Sequence, residues 1–461
     1  MNPILAADLA DLDRLLSLVR DRALHGLHGL DRRPAAVGPV PPLSLPLPGQ
    51  GGGIEGALAA FGQRWEPGFS GSAGPRYLGF VTGGATPAAL AGDWLASAYD
   101  QNPTAGIDSS APDLEREAIG WLRELFGLDT AQQGTFVSGA TLSNFVGLAL
   151  AREWLGERKG VHVAEAGVAA LGPVRVLSGA PHSSIYKALS MLGIGRQAVQ
   201  PIAKQPGRET VDLGQLEAAL QQLGGEPAIV VANAGTVNTV DFDDLAAIAA
   251  LRERYPFWLH VDAAFGAFAA LSPAHAHLTT GLDLADSICI DLHKWLNVPY
   301  DSAVQFTRRR DLQVRVFQNA AAYLGMPGDN PDFVHLTPEN SRRLRALAAW
   351  FALSAYGREG HAEIVQRNIA CARDLGERIA QEPRLRLLAP VRLNVVCFTL
   401  SEDPSEAHVQ TLVRALRDAG EVFMTPSVYE GIWCLRAAFS NWRTTHEDVA
   451  RVMKALQAAL S

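Results

Sequence analysis

Four polar positions in this chain are spaced so that they could act together. Lys294 stands in ADSICIDLHKW, directly after an apolar run with the character of a strand. A lysine placed there is partly desolvated, which favours the neutral amine that condenses with an aldehyde. About thirty residues earlier, Asp262 ends the apolar run of WLHVDAAF and is followed by small alanines. A carboxylate there is costly unless a cation meets it, and a protonated pyridine nitrogen would serve. His182, in APHSSIYKA, also follows a strand-like run and offers an imidazole face to a flat heterocycle. The small-residue turn SGATLSN, residues 138–144, opens a helix. Free N–H groups at a helix start, with the Ser138 and Thr141 hydroxyls, suit a phosphate.

Each position alone has an ordinary reading: a capped turn, a surface histidine, a structural ion pair, a solvated lysine. Together they supply a phosphate cradle, a ring stack, an acid for a pyridinium and a Schiff-base lysine. That is the set of groups that pyridoxal 5′-phosphate requires of a protein.

The segments between these residues must form the scaffold. From about residue 86, helical periodicity alternates with short β-rich runs: DLEREAIGWLRELFGL then GTFVSG, SNFVGLALAREWLGERK then VRVLSG, SSIYKALSMLG then AIVVANAG, DDLAAIAALRERY then WLHVDAAFG and ADSICID. Such alternation with nearly continuous apolar strands predicts an α/β fold, a mainly parallel sheet covered by helices on both faces. Ligands in such sheets bind beyond the carboxyl ends of the strands, where the four groups fall. From about residue 340 the pattern changes to two long helices, then strand-like LNVVCFTL and WCLRAAF with helices between and after, predicting a smaller α+β domain. The start, MNPILAADLADLDRLL, reads as an ordinary first helix, and residues 34–53 are a proline- and glycine-rich extended arm. The expected division is an N-terminal helix and arm over 1–85, a large domain over 86–350 and a small domain over 351–461. Gly51, Gly53 and Gly56 formally match GxGxxG, but no strand precedes them, so they are not read as a dinucleotide site.

Bulk properties narrow the function classes. With 461 residues, 48% hydrophobic and 19% charged, the chain has the balance of a globular enzyme and enough length for more than one domain. No apolar run is long enough to span a bilayer, and the N-terminus lacks the basic flank and apolar block of a secretory signal. The net charge of −8 and the absence of a long basic block argue against nucleic acid as a partner and for a small-molecule substrate. Cys289, Cys371, Cys397 and Cys434 are widely separated, favouring reduced thiols and a cytoplasmic setting. His275 and His277 lack a nearby third ligand, so SPAHAHLTTG reads as a solvated loop and no metal is expected.

From about residue 74 to the C-terminal LRAAFSNWRTTHEDV, the chain resembles the group II pyridoxal-phosphate-dependent amino acid decarboxylases, which include aromatic-L-amino-acid, histidine and glutamate decarboxylases. The resemblance rests on SGATLSN, PHSSIYKA, ANAGTVNTVDFDDL, WLHVDAAFGA and DLHKWLNVPYD. It implies the aspartate-aminotransferase-like fold, with a seven-stranded type of sheet, a small C-terminal domain, and a homodimer whose N-terminal segment embraces the partner and whose site lies at the interface. It also implies roles: Lys294 as the Schiff-base lysine, Asp262 as the acid on the pyridine nitrogen, His182 stacked on one ring face and Ala264 on the other. Gly139, Ala140, Thr141 and His293 occupy phosphate-cradle positions. Arg436, in CLRAAFSN, falls near an arginine associated with the substrate carboxylate or its surroundings. Tyr77, Phe80 and Trp94 lie in the segment that lines the substrate pocket in relatives, favouring an aromatic or hydrophobic side chain.

Three departures from the family pattern bear on the reaction. Asp291-Leu292-His293-Lys294 stands where members commonly have Asn-Pro-His-Lys, so an acid lies near the phosphate. Asn233 replaces a threonine and could hydrogen-bond the cofactor's phenolic oxygen. The loop that carries a catalytic tyrosine in many members is short here, and LGMPGDNPDFVHLTPEN after Tyr323 contains none. The expected reaction is α-decarboxylation of an L-amino acid, with Lys294 or Tyr323 returning a proton to Cα. Transamination, aldehyde-forming oxidative decarboxylation or an aldolase or lyase outcome stays open, as does a cofactor-binding protein without turnover.

Overall fold

A computed structural model describes residues 1–39, 41–319, 328 and 330–461. Seven strands form the large sheet: β1 (Gln133–Val137), β2 (Val176–Ser178), β3 (Val199–Pro201), β4 (Ala228–Asn233), β5 (Phe257–Asp262), β6 (Ser287–Asp291) and β7 (Ala303–Thr307). Their spatial order is β1-β7-β6-β5-β4-β2-β3. Neighbours from β6 to β3 pair in parallel, and β7 runs antiparallel to both β6 and β1. Six strands therefore point the same way, as the β/α alternation predicts, and their carboxyl ends gather on one edge. Every residue of β4, β5, β6 and β7 is buried, the signature of a sheet covered on both faces.

The helix Ala140–Lys159 follows β1 and lies across β5, β6 and β7. It ends at Gly160, whose left-handed φ of 68° suits a glycine C-cap. The 36-residue segment Ala346–Gln381 is broken at Gly357, with φ of 56°, into the two helices that the sequence pattern calls for. Its first part packs on the helices Pro87–Tyr99 and Ala111–Leu125. Its second part covers the small sheet formed by β8 (Leu385–Leu387), β9 (Val395–Leu400), β10 (Thr425–Tyr429) and β11 (Ile432–Ala438). That sheet is antiparallel throughout, in the order β10-β11-β9-β8. Leu375, Ile379, Phe398, Leu435 and Phe439 fill its core, and Leu78 joins them from the N-terminal region.

The N-terminus differs in detail from the single helix expected there. Asp11, at φ −116° and ψ 25°, separates Pro3–Ala10 from Leu12–His28. The described part of the proline-rich arm has no helix or strand up to Gly53, where Gly53–Arg64 begins.

Candidate functional site

The carboxyl edge of the large sheet surrounds a cavity of about 410 Å³ whose wall includes Ala140, His182, Asn233, Asp262, Ala264, His293, Lys294 and Arg436. Strand order explains the convergence. Asn233 is the last residue of β4, Asp262 the last of β5 and Asp291 the last of β6, and the first two stand in register as neighbours. His182 caps the helix Ser183–Met191 just past β2. Lys294 sits in the short helix Leu292–Trp295 that follows β6 without a break.

Asp262 is buried, and both of its oxygens are held. Oδ2 accepts from Asn144 Nδ2 at 3.0 Å, and Oδ1 accepts from the Ala264 backbone N–H at 3.2 Å. Its fixed negative charge faces a cavity, the setting in which a ligand cation repays burial. The Lys294 ammonium nitrogen lies 3.7 Å from Asp291 Oδ2 and 5.5 Å from the centre of the Phe265 ring. Burial pulls the His182 imidazole below its ordinary value, and the neighbouring Lys294 and Arg436 charges add to this against the pull of Asp262.

The helix start at Gly139 and Ala140 meets the β6 end. Ala140 N–H donates to Asp291 Oδ2 at 3.3 Å, and a Cβ at Gly139 would touch the His293 ring at 3.4 Å. Burial holds His293 down at about 4, with Lys294 as the second cause. Burial pushes the Asp291 carboxyl up to about 6. Its Oδ1 lies 3.1 Å from His293 Nδ1, which already accepts from the Ser302 backbone N–H at 3.3 Å. Asp291 Oδ1 has no hydrogen-bond partner among the described residues.

The small sheet contributes Arg436 from β11. Its guanidinium donates to the Val237 carbonyl and, at 3.5 Å, to Thr425 Oγ1, while Nε finds no partner among the described residues. Phe80, Val81, Phe265 and Tyr300 supply apolar wall. Glu209, also on the wall, is engaged by the Thr236 and Thr239 hydroxyls, the Asn238 amide and the Thr239 backbone N–H.

Some of the expected residues stand back from the cavity. Gly139, Thr141 and Asp291 flank it, Tyr77 packs behind Phe80 against Phe423 at 4.8 Å between ring centres, and Trp94 lies 40% exposed on its helix. The Asn233 amide is turned to Asp243 Oδ2 at 3.4 Å. Tyr323 lies outside the described residues. His275 is a correction: it is buried rather than solvated, held by Ser272 Oγ and Arg373 Nη2, each at 2.8 Å, while His277 is exposed. No group of three residues suited to a metal occurs among the described residues. Tyr300, whose ring centre lies 4.3 Å from that of His293, and Asn144 and Ser184 behind the site are residues whose place there the sequence does not reveal. Asn144 was visible as the last residue of SGATLSN, but nothing local reveals its partner 118 residues away.

Residues 62–401 match the family model described as "Pyridoxal-dependent decarboxylase conserved domain". The chain belongs to this family. It is 27% identical over 398 residues to the aromatic-L-amino-acid decarboxylase of Bacillus atrophaeus, covering 83% of this chain and 81% of that protein. It is 29% identical over 316 residues to the L-2,4-diaminobutyrate decarboxylase of Acinetobacter baumannii, covering 65% of this chain but only 61% of that protein. The fold matches the crystal structure of Oryza sativa TDC with PLP and tryptamine at a TM-score of 0.90 and 22% identity, over 98% and 97% of the two chains.

The cofactor of this decarboxylase is pyridoxal 5′-phosphate, as for its family. The described residues fit that group. The cavity has room for it, with a carboxylate, an amine and a helix start converging on one volume. No helix among the described residues is long and apolar enough to cross a membrane.

Proposed function

We propose that this decarboxylase removes the α-carboxylate of an L-amino acid with an aromatic or hydrophobic side chain, releasing an amine and carbon dioxide. The convergence of Lys294, Asp262, His182 and Arg436 on one cavity with apolar walls carries the reading. Lys294 holds the cofactor covalently. Asp262 keeps the pyridine nitrogen protonated, and its two held oxygens fix that charge before the reaction starts. His182 and Ala264, both on the cavity wall, would hold the two faces of the ring. Gly139, Ala140, Thr141 and His293 receive the phosphate, with Asp291 beside it and Asn233 toward the phenolic oxygen.

When bound, the cofactor supplies an electron sink for the pair left at Cα as the carboxylate departs. The chain's own groups do the rest. Arg436, on the cavity wall, is the cation assigned to the substrate's carboxylate end. Phe80, with Tyr77 behind it, and Tyr300 and Phe265 receive an apolar side chain, and Glu209, engaged by its four donors, makes no demand for a cation there. Lys294, freed as an amine, or Tyr323 returns the proton to Cα.

The same reading divides the chain into an arm over 1–85, a large domain over 86–350 and a small domain over 351–461. It places the arm around a partner subunit in a cytoplasmic homodimer. The four cysteines, buried and unbridged, agree with a reducing compartment. The test is incubation of the purified, cofactor-loaded protein with a panel of L-amino acids. Amine with stoichiometric carbon dioxide from an aromatic or hydrophobic member supports the reading. Aldehyde, keto acid or no turnover overturns it.

A further inference from the structure

Behind Asp262 the buried polar groups form one chain whose hydrogens have a single consistent arrangement. One end is the Asp262 carboxylate, which only accepts, and the other is the Trp258 indole N–H, which only donates. Asn144 must turn Nδ2 toward Asp262, at 3.0 Å, which leaves its Oδ1 facing His260 Nε2 at 2.9 Å. Nε2 therefore carries a hydrogen. Burial holds His260 down at about 4, so the ring is neutral and Nδ1 is bare, accepting from Ser287 Oγ at 2.8 Å. Ser287 in turn accepts from Trp258 Nε1 at 2.9 Å.

The second hydrogen of Asn144 Nδ2 goes to Ser184 Oγ at 3.0 Å, and that hydroxyl lies 2.8 Å from His182 Nδ1. The Ser184 backbone N–H donates to the same Nδ1 at 3.3 Å, so this nitrogen is an acceptor and the hydrogen of a neutral His182 sits on Nε2. Asn144, Trp258, His260 and Ser287 are all fully buried. Space for this chain depends on Gly147, one turn along the helix from Asn144, where a Cβ would stand 2.7 Å from His260 Nδ1.

We propose that Asn144 is a positioning residue that fixes two parts of the cofactor site at once, the carboxylate of Asp262 and the Ser184 hydroxyl that meets His182 Nδ1, with His260, Ser287 and Trp258 as its anchor. The proposal rests on the placement of the cofactor ring between His182 and Ala264 given above. A flipped Asn144 would set its oxygen against the Asp262 carboxylate, and the anchor excludes that state. Asp262 is thereby kept from rotating, and the Ser184 hydroxyl is left to donate to His182 Nδ1 beside the backbone N–H that sets the tautomer.

The test uses Asn144→Leu, similar in size but without donors, and Ser287→Ala, which cuts the anchor at a residue that does not line the cavity. Nitrogen-15 NMR of labelled histidines in the unliganded protein reads the tautomers directly. The wild type is expected to have both His260 and His182 protonated at Nε2. Asn144→Leu is expected to weaken cofactor binding by about tenfold to a hundredfold, the worth of a hydrogen bond to a charged group. It should also move the pH at which the visible band of the bound cofactor titrates. Ser287→Ala should move both in the same direction by less. A wild-type His260 protonated at Nδ1 overturns the proposal. So does an Asn144→Leu protein that loses thermal stability but keeps the cofactor's affinity and the titration of its band. If Asp262→Asn also leaves both unchanged, the ring placement itself is wrong, which distinguishes the two failures.

Discussion

Replacing Asp291 by asparagine is expected to tighten cofactor binding, and to do so increasingly as the pH rises. Burial raises this carboxyl from 3.8 to about 6 even with the Lys294 nitrogen 3.7 Å away. Its Oδ1 lies 3.1 Å from His293 Nδ1 and has no hydrogen-bond partner among the described residues, and its Oδ2 shares the helix start where the phosphate is proposed to bind. A phosphate arriving there meets an ionised carboxylate above pH 6, so binding must take up a proton. Affinity then falls tenfold for each further pH unit, a deficit of about a hundredfold, or ~2.7 kcal/mol, by pH 8. The Asp291→Asn variant donates a hydrogen without needing one from solvent. Dissociation constants of the cofactor, measured calorimetrically for both proteins, should differ by about twofold at pH 6 and about a hundredfold at pH 8. A ratio that stays flat across that range would refute the reasoning. The unliganded fold carries the same sign. With the folded value raised, the stability that Asp291 contributes is fully present below 3.8 and is lost as the pH rises through about 6.

Arg342 and Glu115 form an ion pair with both side chains fully buried, Nη2 to Oε1 2.6 Å, so Arg342→Met strands a carboxylate in the core. Denaturant unfolding should show a loss of about 3–5 kcal/mol, and a loss under 1 kcal/mol would contradict the pairing. Asp262→Asn should lower kcat about a hundredfold or more, as expected when a preorganised charge at the reacting centre is removed, whereas steady-state rates within tenfold of wild type would reject its role. Phe80→Ala should raise KM for an aromatic substrate while changing kcat little, since it removes binding shared by ground and transition states. An unchanged KM would place Phe80 outside the substrate pocket.

The fold was legible because its strands are buried on both faces and appear as short apolar runs between helical periods. The antiparallel strand β7 was passed over: AVQFT carries a polar glutamine whose amide is satisfied by the Phe306 carbonyl inside the sheet. Lys294, Asp262 and His182 stood out because each follows such a run, and parallel strands bring their carboxyl ends to one edge. Asn144, Ser184 and His260 did not, because their meaning lies in contacts between elements far apart in sequence. His275 is illegible for the same reason, since one of the two groups that hold it is Arg373, from a helix almost a hundred residues away.

The central claim is that Lys294 holds the cofactor covalently in this cavity. Its most direct test is borohydride reduction of the cofactor-loaded protein, followed by peptide mass spectrometry, with the Lys294→Ala variant alongside. The wild type should retain a reduced cofactor adduct on Lys294, and the variant should lose the visible chromophore that borohydride reduces. An adduct on another lysine, or a reducible chromophore that persists in the variant, would contradict the claim.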